Sequence, residues 1–251
     1  MSNVPYIPTR VLAIAAHPDD IEFGSVGTIA RWVQGGATAA YVLVTSGDVG
    51  IAEPGMTKAR AAEIRETETL AAAKIVGVED VTFLREPDGM VVNTLELRKQ
   101  LVRQIRRFRP EVIIAMDPTV MYTSLGGINH PDHRAVGEAT MDAIFPACSQ
   151  PNLFQELEEE GIFACRVRKV YVSSRGEGDH FVDISSTIDL KIQALQAHVS
   201  QVGAMEGLEQ RIRQFAARNG AGKEMAYAEV FRVLTLQTDE AWAKAQSQPA
   251  V

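Results

Sequence analysis

Three runs of this chain constrain its fold more than any other feature. "RVLAIAA" (Arg10 to Ala16), "TAAYVLVTS" (Thr38 to Ser46) and "EVIIAMD" (Glu111 to Asp117) are almost continuously apolar, and stretches of helical character separate them. A strand with one wet face alternates apolar and polar residues. Unbroken apolar runs therefore point to strands buried on both faces, in a parallel sheet covered by helices. The intervening helices are expected near Val26 to Gln34, closed by Gly35-Gly36, from about Thr57 to Val76, stopped at Gly77, and from Thr94 to Phe108. "DVTFL" reads as a further short strand. The expected fold is α/β, a Rossmann-like three-layer αβα sandwich with a mostly parallel sheet.

Past the acidic helix "FQELEEEG" the pattern changes. "VRKVYVSS", "HFVDIS" and "AEVFRVLTL" read as strands, with helices near Ser186 to His198 and Leu208 to Arg218. No Pro- or Ser/Gly-rich linker intervenes, so residues 1–251 are expected to form one domain with a C-terminal elaboration. The last stretch, from about 240 to 251, is expected to be a partly frayed tail.

The net charge of −7 argues against an electrostatic grip on nucleic acid or an anionic membrane. The N-terminal "MSNVPYIPTR" lacks the apolar core of a signal peptide, and no apolar run is long enough to span a bilayer. A cytoplasmic location is expected, with Cys148 and Cys165 as free thiols outside any CxxC pattern.

The polar ends of two segments carry the chemistry. "AAHPDD" places His17, Asp19 and Asp20 where the first strand meets solvent. More than a hundred residues later "INHPDHRAVG" places His130, Asp132 and His133 at the start of a helix from about Pro131 to Phe145. Proline keeps the residue before it extended and suits the first turn of a helix. In α/β sheets ligands sit beyond the carboxyl ends of the strands, so the two segments should converge. His17, Asp19, Asp20, His130 and His133 would then share one cleft, and a divalent metal is the simplest reason to gather imidazoles and carboxylates together. Two histidines and one carboxylate leave a coordination position open, as catalytic zinc sites do. No GxGxxG follows the first strand and no P-loop is present, which weighs against a nucleotide-binding module.

These residues resemble the PIG-L/LmbE-like zinc-dependent N-acetylglucosaminyl deacetylases. "AAHPDDIEFGSVGTIA" (Ala15 to Ala30) and the later HPDH carry the resemblance, with weaker echoes in "TSGDVG", "RETETLAAAKIVGV", "PDG" at Pro87 to Gly89, "ALQAHVSQV" and "AEVFRV". The resemblance implies His17, Asp20 and His133 as ligands of Zn2+ or Fe2+, Asp19 as general base and His130 as oxyanion donor or general acid. It implies Arg65 as a substrate-binding residue, with a solvated pair to Glu66 or Glu68 as the alternative. Glu22 is expected to support the metal loop by accepting backbone N–H groups. Asp132 is expected either to orient a ligand or Asp19, or to serve as a helix N-terminal acid. His198 reads as a packing residue or a subunit contact. The loop from Thr119 to Asn129, with "SLGG", reads as a lid.

The activity implied is removal of acetate from an N-acetylglucosamine unit of a small glycoconjugate or chito-oligosaccharide. The alternative is a metal-dependent amidohydrolase acting on a non-sugar N-acyl amine. The expected partner is a small N-acetylated sugar, in a homo-oligomer, trimeric or hexameric.

Overall fold

The computed structural model describes residues 6–123, 126–173 and 178–246. Its centre is a seven-stranded sheet in the order β3-β2-β1-β4-β5-β7-β6. These strands are β1 (Arg10–Ala15), β2 (Thr38–Thr45), β3 (Asp80–Glu86), β4 (Val112–Met116), β5 (Lys169–Ser173), β6 (His180–Asp183) and β7 (Ala228–Thr235). The strands β1 to β5 pair in parallel, whereas β7 runs antiparallel to both β5 and β6. The C-terminal elaboration thus extends the sheet by an antiparallel edge.

The apolar runs are buried on both faces, as their lack of alternation required. Leu12 and Ile14 of β1 pack with Val42, Ile113 and the helices α4 (Leu95–Phe108) and α5 (Pro131–Ile144). Val11, Ala13 and Ala15 point the other way, towards Ile29 and Trp32 of α2 (Val26–Gln34) and Ala72 and Ala73 of α3 (Lys58–Ile75). Each buried Val, Leu or Ile among them contributes roughly 1.5–3 kcal/mol by leaving water. Thr57 and Thr94 cap α3 and α4, accepting hydrogen bonds from the N–H groups of Arg60 and Leu97.

A short helix, α1 (Asp20–Gly24), follows the HPD segment directly. It is secured by a buried ion pair. Lys191 of α7 (Ile188–Gln196) donates to the carbonyls of Glu22 and Phe23 at 2.8 and 2.9 Å, and to Glu229 at 2.8 Å. Glu229 in turn accepts the N–H groups of Gly27 and Thr28 at the start of α2. One Lys–Glu pair therefore closes the end of one helix and opens the next. Gly27 allows this close approach, since a Cβ would lie 2.9 Å from the Ile184 side chain and 3.0 Å from Glu229 Oε1.

The remaining helices are α6 (Gln155–Glu159), α8 (Val199–Val202), α9 (Leu208–Gly220) and α10 (Asp239–Gln246). In the first turn of α10, Asp239 pairs with Arg168 at 2.5 Å. Cys148 and Cys165 are free and buried. Among the described residues no helix is long and apolar enough to cross a membrane.

Candidate metal centre

The chain passes from β1 to β2 on one side of the sheet, while β4 lies on the other side of β1. The crevice beyond β1 and β4 is thus the switch point at which such sheets bind ligands. His17 lies just past the end of β1, Asp19 immediately precedes α1, and His130 caps α5 by accepting the Asp132 N–H. Asp132 and His133 occupy the first turn of α5, because Pro131 starts that helix without needing an N–H.

Asp20 joins the two segments. Its Oδ2 lies 3.2 Å from His17 Nδ1 and accepts the His17 backbone N–H at 2.8 Å, while its Oδ1 lies 3.1 Å from His133 Nε2. The far side of the His17 ring faces two more carboxylates, with Nε2 at 3.1 Å from Asp88 Oδ1 and 3.2 Å from Asp132 Oδ2. Asp132 is fully buried and also accepts the N–H groups of Gly89 and Val91. Asp88 accepts the N–H of Val49 at 3.3 Å. Nε2 of His17 is thereby assigned as the proton donor, which leaves Nδ1 turned to Asp20. Carboxylates in this position commonly fix the tautomer of a metal-binding histidine.

Mutual proximity of donor atoms also groups His17 with His130 and His133, or with Asp88, His130 and Asp132. Asp20 belongs to neither group, yet it touches both His17 and His133. Asp88 and Asp132 already hold backbone N–H groups and the Nε2 proton, and His130 Nδ1 already accepts the Asp132 N–H at 3.2 Å. Asp20 in turn links His17 Nδ1 to His133 Nε2 through its two oxygens. These donors suit a borderline divalent ion such as zinc.

Charge supports the same conclusion. Asp19, Asp20, Asp88 and Asp132 gather around three imidazoles and the guanidinium of Arg65. Burial alone would lower the His17 imidazole, but its hydrogen bonds to Asp132, Asp20 and Asp88 outweigh that and raise it to about 11. Burial alone would raise the Asp20 carboxyl, yet His133 and His17 hold it well below the usual carboxylate range. Without a metal, a proton on Nδ1 balances these acids, and a cation held there would take over that role.

Asp19 differs from its neighbour. Its backbone is left-handed, with φ of 93°, a conformation that costs a non-glycine residue on the order of 1–3 kcal/mol. Arg65 holds it in place: its guanidinium donates to the Pro18 carbonyl at 2.6 Å and to Asp19 Oδ2 at 3.3 Å. Burial and the charge of Asp20 push the Asp19 carboxyl up to about 7, against the pull of Arg65. Arg65 is itself buried, with a further bond to the Gly47 carbonyl at 3.3 Å. It does not form the solvated pair considered above: Glu66 bonds Ser46 and Arg85, and Glu68 bonds Ser200.

His130 is half-exposed, with its ring 4.6 Å from that of His17. Burial and the charge of His17 keep its imidazole below the ordinary range, and Nδ1 accepts the Asp132 N–H, so the neutral ring carries its proton on Nε2. Glu22 accepts none of the expected backbone N–H groups among the described residues. It is buried against the fully buried His198, with Oε2 and Nε2 3.2 Å apart but not aligned as a hydrogen bond. The loop expected to be a lid closes on itself through a Tyr122–Ile128 bridge, and Ser124 and Leu125 lie outside the described residues.

Asp132→Asn is expected to weaken metal binding by about 10–100-fold, because an amide cannot accept from Gly89, Val91 and His17 together. A competition titration with a chromogenic chelator measures this. Unchanged affinity would remove Asp132 from the set that orients His17.

Comparison with known proteins gives a consistent picture. Residues 12–144 match the family described as PIG-L, GlcNAc-PI de-N-acetylase. Diacetylchitobiose deacetylase of Thermococcus kodakarensis is 31% identical over 229 residues, which span 89% of this chain and 82% of that protein. The 1D-myo-inositol 2-acetamido-2-deoxy-alpha-D-glucopyranoside deacetylase of Kineococcus radiotolerans is 26% identical over 260 residues, spanning 78% of this chain and 69% of that protein. Among solved structures, N,N'-diacetylchitobiose deacetylase from Pyrococcus horikoshii in complex with its inhibitor MPG superposes with a TM-score of 0.83 at 28% identity. That match covers 91% of this chain and 84% of the other.

Proposed function

Because the chain belongs to the PIG-L family of GlcNAc-PI de-N-acetylases, we propose that it is a metal-dependent N-deacetylase of N-acetylglucosamine units, releasing acetate and a free amine. The observation that carries this reading is the placement of Asp20 between His17 Nδ1 and His133 Nε2, with Asp19 beside them and outside the donor set.

His17, Asp20 and His133 would hold the ion, with zinc as the expected metal and iron(II) as the alternative. Bound there, such an ion supplies Lewis acidity that makes water a nucleophile near neutral pH and polarises the acyl carbonyl. Asp19 takes the proton of the attacking water, from a position fixed by Arg65 and with 16% of its side chain still open to the cleft. His130 donates from Nε2 to the oxyanion that develops at the carbonyl. The leaving amine takes a proton from Asp19, which has just acquired one, and the C–N bond breaks. Asp88 and Asp132 hold the His17 ring, and Arg65 acts through Asp19 rather than by reaching a sugar hydroxyl. Glu22 and His198 pack beneath α1 as its buried support.

The substrates expected are short chito-oligosaccharides or small glucosaminides. The seven strands share one sheet, in line with a single domain over the whole chain. A homo-oligomer, trimeric or hexameric, is part of the reading and is supported by the exposure of Met90, Val92 and Leu95. A cytoplasmic location goes with it.

Acetate and free amine are to be measured on N-acetylglucosamine, its β-1,4-linked dimer, an N-acetylglucosaminyl inositol and a set of non-sugar N-acetyl amines. Release from at least one sugar is expected. Activity confined to the non-sugar amides would reassign the substrate class.

A further inference from the structure

We infer that this enzyme accepts N-acyl groups longer than acetyl, which it houses in an apolar channel running from the metal centre beneath α9. The inference rests on the N-deacetylase reading above and names the acyl half of its substrate. A cavity of about 280 Å³ opens beside Asp20 and His133. That is far more space than an acetyl methyl needs, since a methyl is about the size of a water molecule, whose share of liquid volume is ~30 Å³. Its walls include Ile114, Ala115 and Val120 on the β4 side and Phe23, Ile212 and Phe215 on the α1 and α9 side. A second cavity of about 40 Å³ continues it, sharing Phe23, Gly24, Ser173, Ile212 and Phe215 and reaching Ala216 and Val230.

The polar groups along the channel are largely engaged within the protein. Lys191 has its three donors on Glu22, Phe23 and Glu229, Asn129 bonds the Val120 carbonyl and His133, and Asp117 accepts both the N–H and the hydroxyl of Thr119. A pyranose placed here would lose the hydration of its hydroxyls with little in return. The other side of the metal centre is polar, formed by Asp19, Asp88 and the loop that carries Ser46 and Asp48. An amide whose carbonyl lies at the centre therefore directs its sugar to that side and its acyl chain into the channel. Hydrolysis adds one water across the C–N bond and yields a fatty carboxylate and the amine, with no further reactant.

The test compares N-acetyl-, N-butanoyl- and N-hexanoylglucosamine on the metal-loaded protein. Each buried methylene is worth up to about fourfold in affinity, so kcat/KM is expected to rise at least tenfold from acetyl to hexanoyl. Ile212→Trp, on α9, and Ser173→Leu, on β5, narrow the channel from opposite sides. Each is expected to lower the hexanoyl-to-acetyl ratio of kcat/KM at least tenfold. A wild-type enzyme that hydrolyses the hexanoyl compound tenfold more slowly than the acetyl one overturns the inference. So does a ratio unchanged in both variants, and so does a gain confined to octyl N-acetylglucosaminide, which would give the channel to the aglycone. Calorimetry with acetate and hexanoate separates this inference from the reading it rests on. If no amide is hydrolysed, the N-deacetylase reading falls. The channel then stands only if hexanoate binds at least tenfold more tightly than acetate and Ile212→Trp removes the difference.

Discussion

Asp19→Asn lowers acetate release by about 10²–10⁴-fold, the usual contribution of a positioned general base, while the variant keeps its full complement of metal. Asparagine is the informative replacement. It tolerates the left-handed backbone that Asp19 adopts at φ of 93°, and its side-chain oxygen still accepts from Arg65, so the loop keeps its shape. What it lacks is the ability to accept a proton. Alanine removes that ability too, but adds backbone strain and leaves the buried Arg65 with one partner fewer. Metal content by elemental analysis and acetate release are read on the same sample. Turnover at the wild-type rate would show that another group takes the proton, and loss of the metal would place Asp19 among the ligands.

The adjacent acids Asp19 and Asp20 show what the sequence made legible and what it did not. The run "AAHPDD" at the end of an unbroken apolar strand already separates a proline-fixed histidine from two acids on a turn. The two apolar runs of β1 and β4, read as fully buried, put that turn at the carboxyl edge of the sheet, and the structure has them paired side by side. HPDH at the start of a helix was equally open to inspection, because proline dictates its geometry locally.

Asp88 was not found as a site residue. In sequence it belongs to an ordinary Pro-Asp-Gly turn, and its role comes from contact with His17 across the cleft, which no local pattern encodes. The two alternatives for Asp132 are separated by the N–H groups of Gly89 and Val91, which donate to it from the loop after β3 and have no signature in the local sequence. Arg65 shows the same limit. On the helix it is flanked by acids at positions that favour surface pairs, yet it is drawn inward by the Pro18 and Gly47 carbonyls. The antiparallel placing of β7 between β5 and β6 was also illegible, because apolar composition marks a strand without fixing its neighbours. The local signals gave the chemistry at each end of the cleft; the contacts that couple the ends are properties of the packed chain.

The central claim is that His17, Asp20 and His133 bind the ion on which N-deacetylation depends. The measurement that tests it most directly is a titration of metal-stripped protein with Zn2+, following bound metal and acetate release together. No measurable release is expected without metal, with recovery that rises with added ion to a plateau at one per chain. His133→Ala removes one of three donors and is expected to neither retain the ion nor recover activity, whereas His130→Ala keeps the ion and loses turnover. Acetate release at the full rate by the stripped protein, or one ion bound as tightly by His133→Ala as by the wild type, would contradict the account.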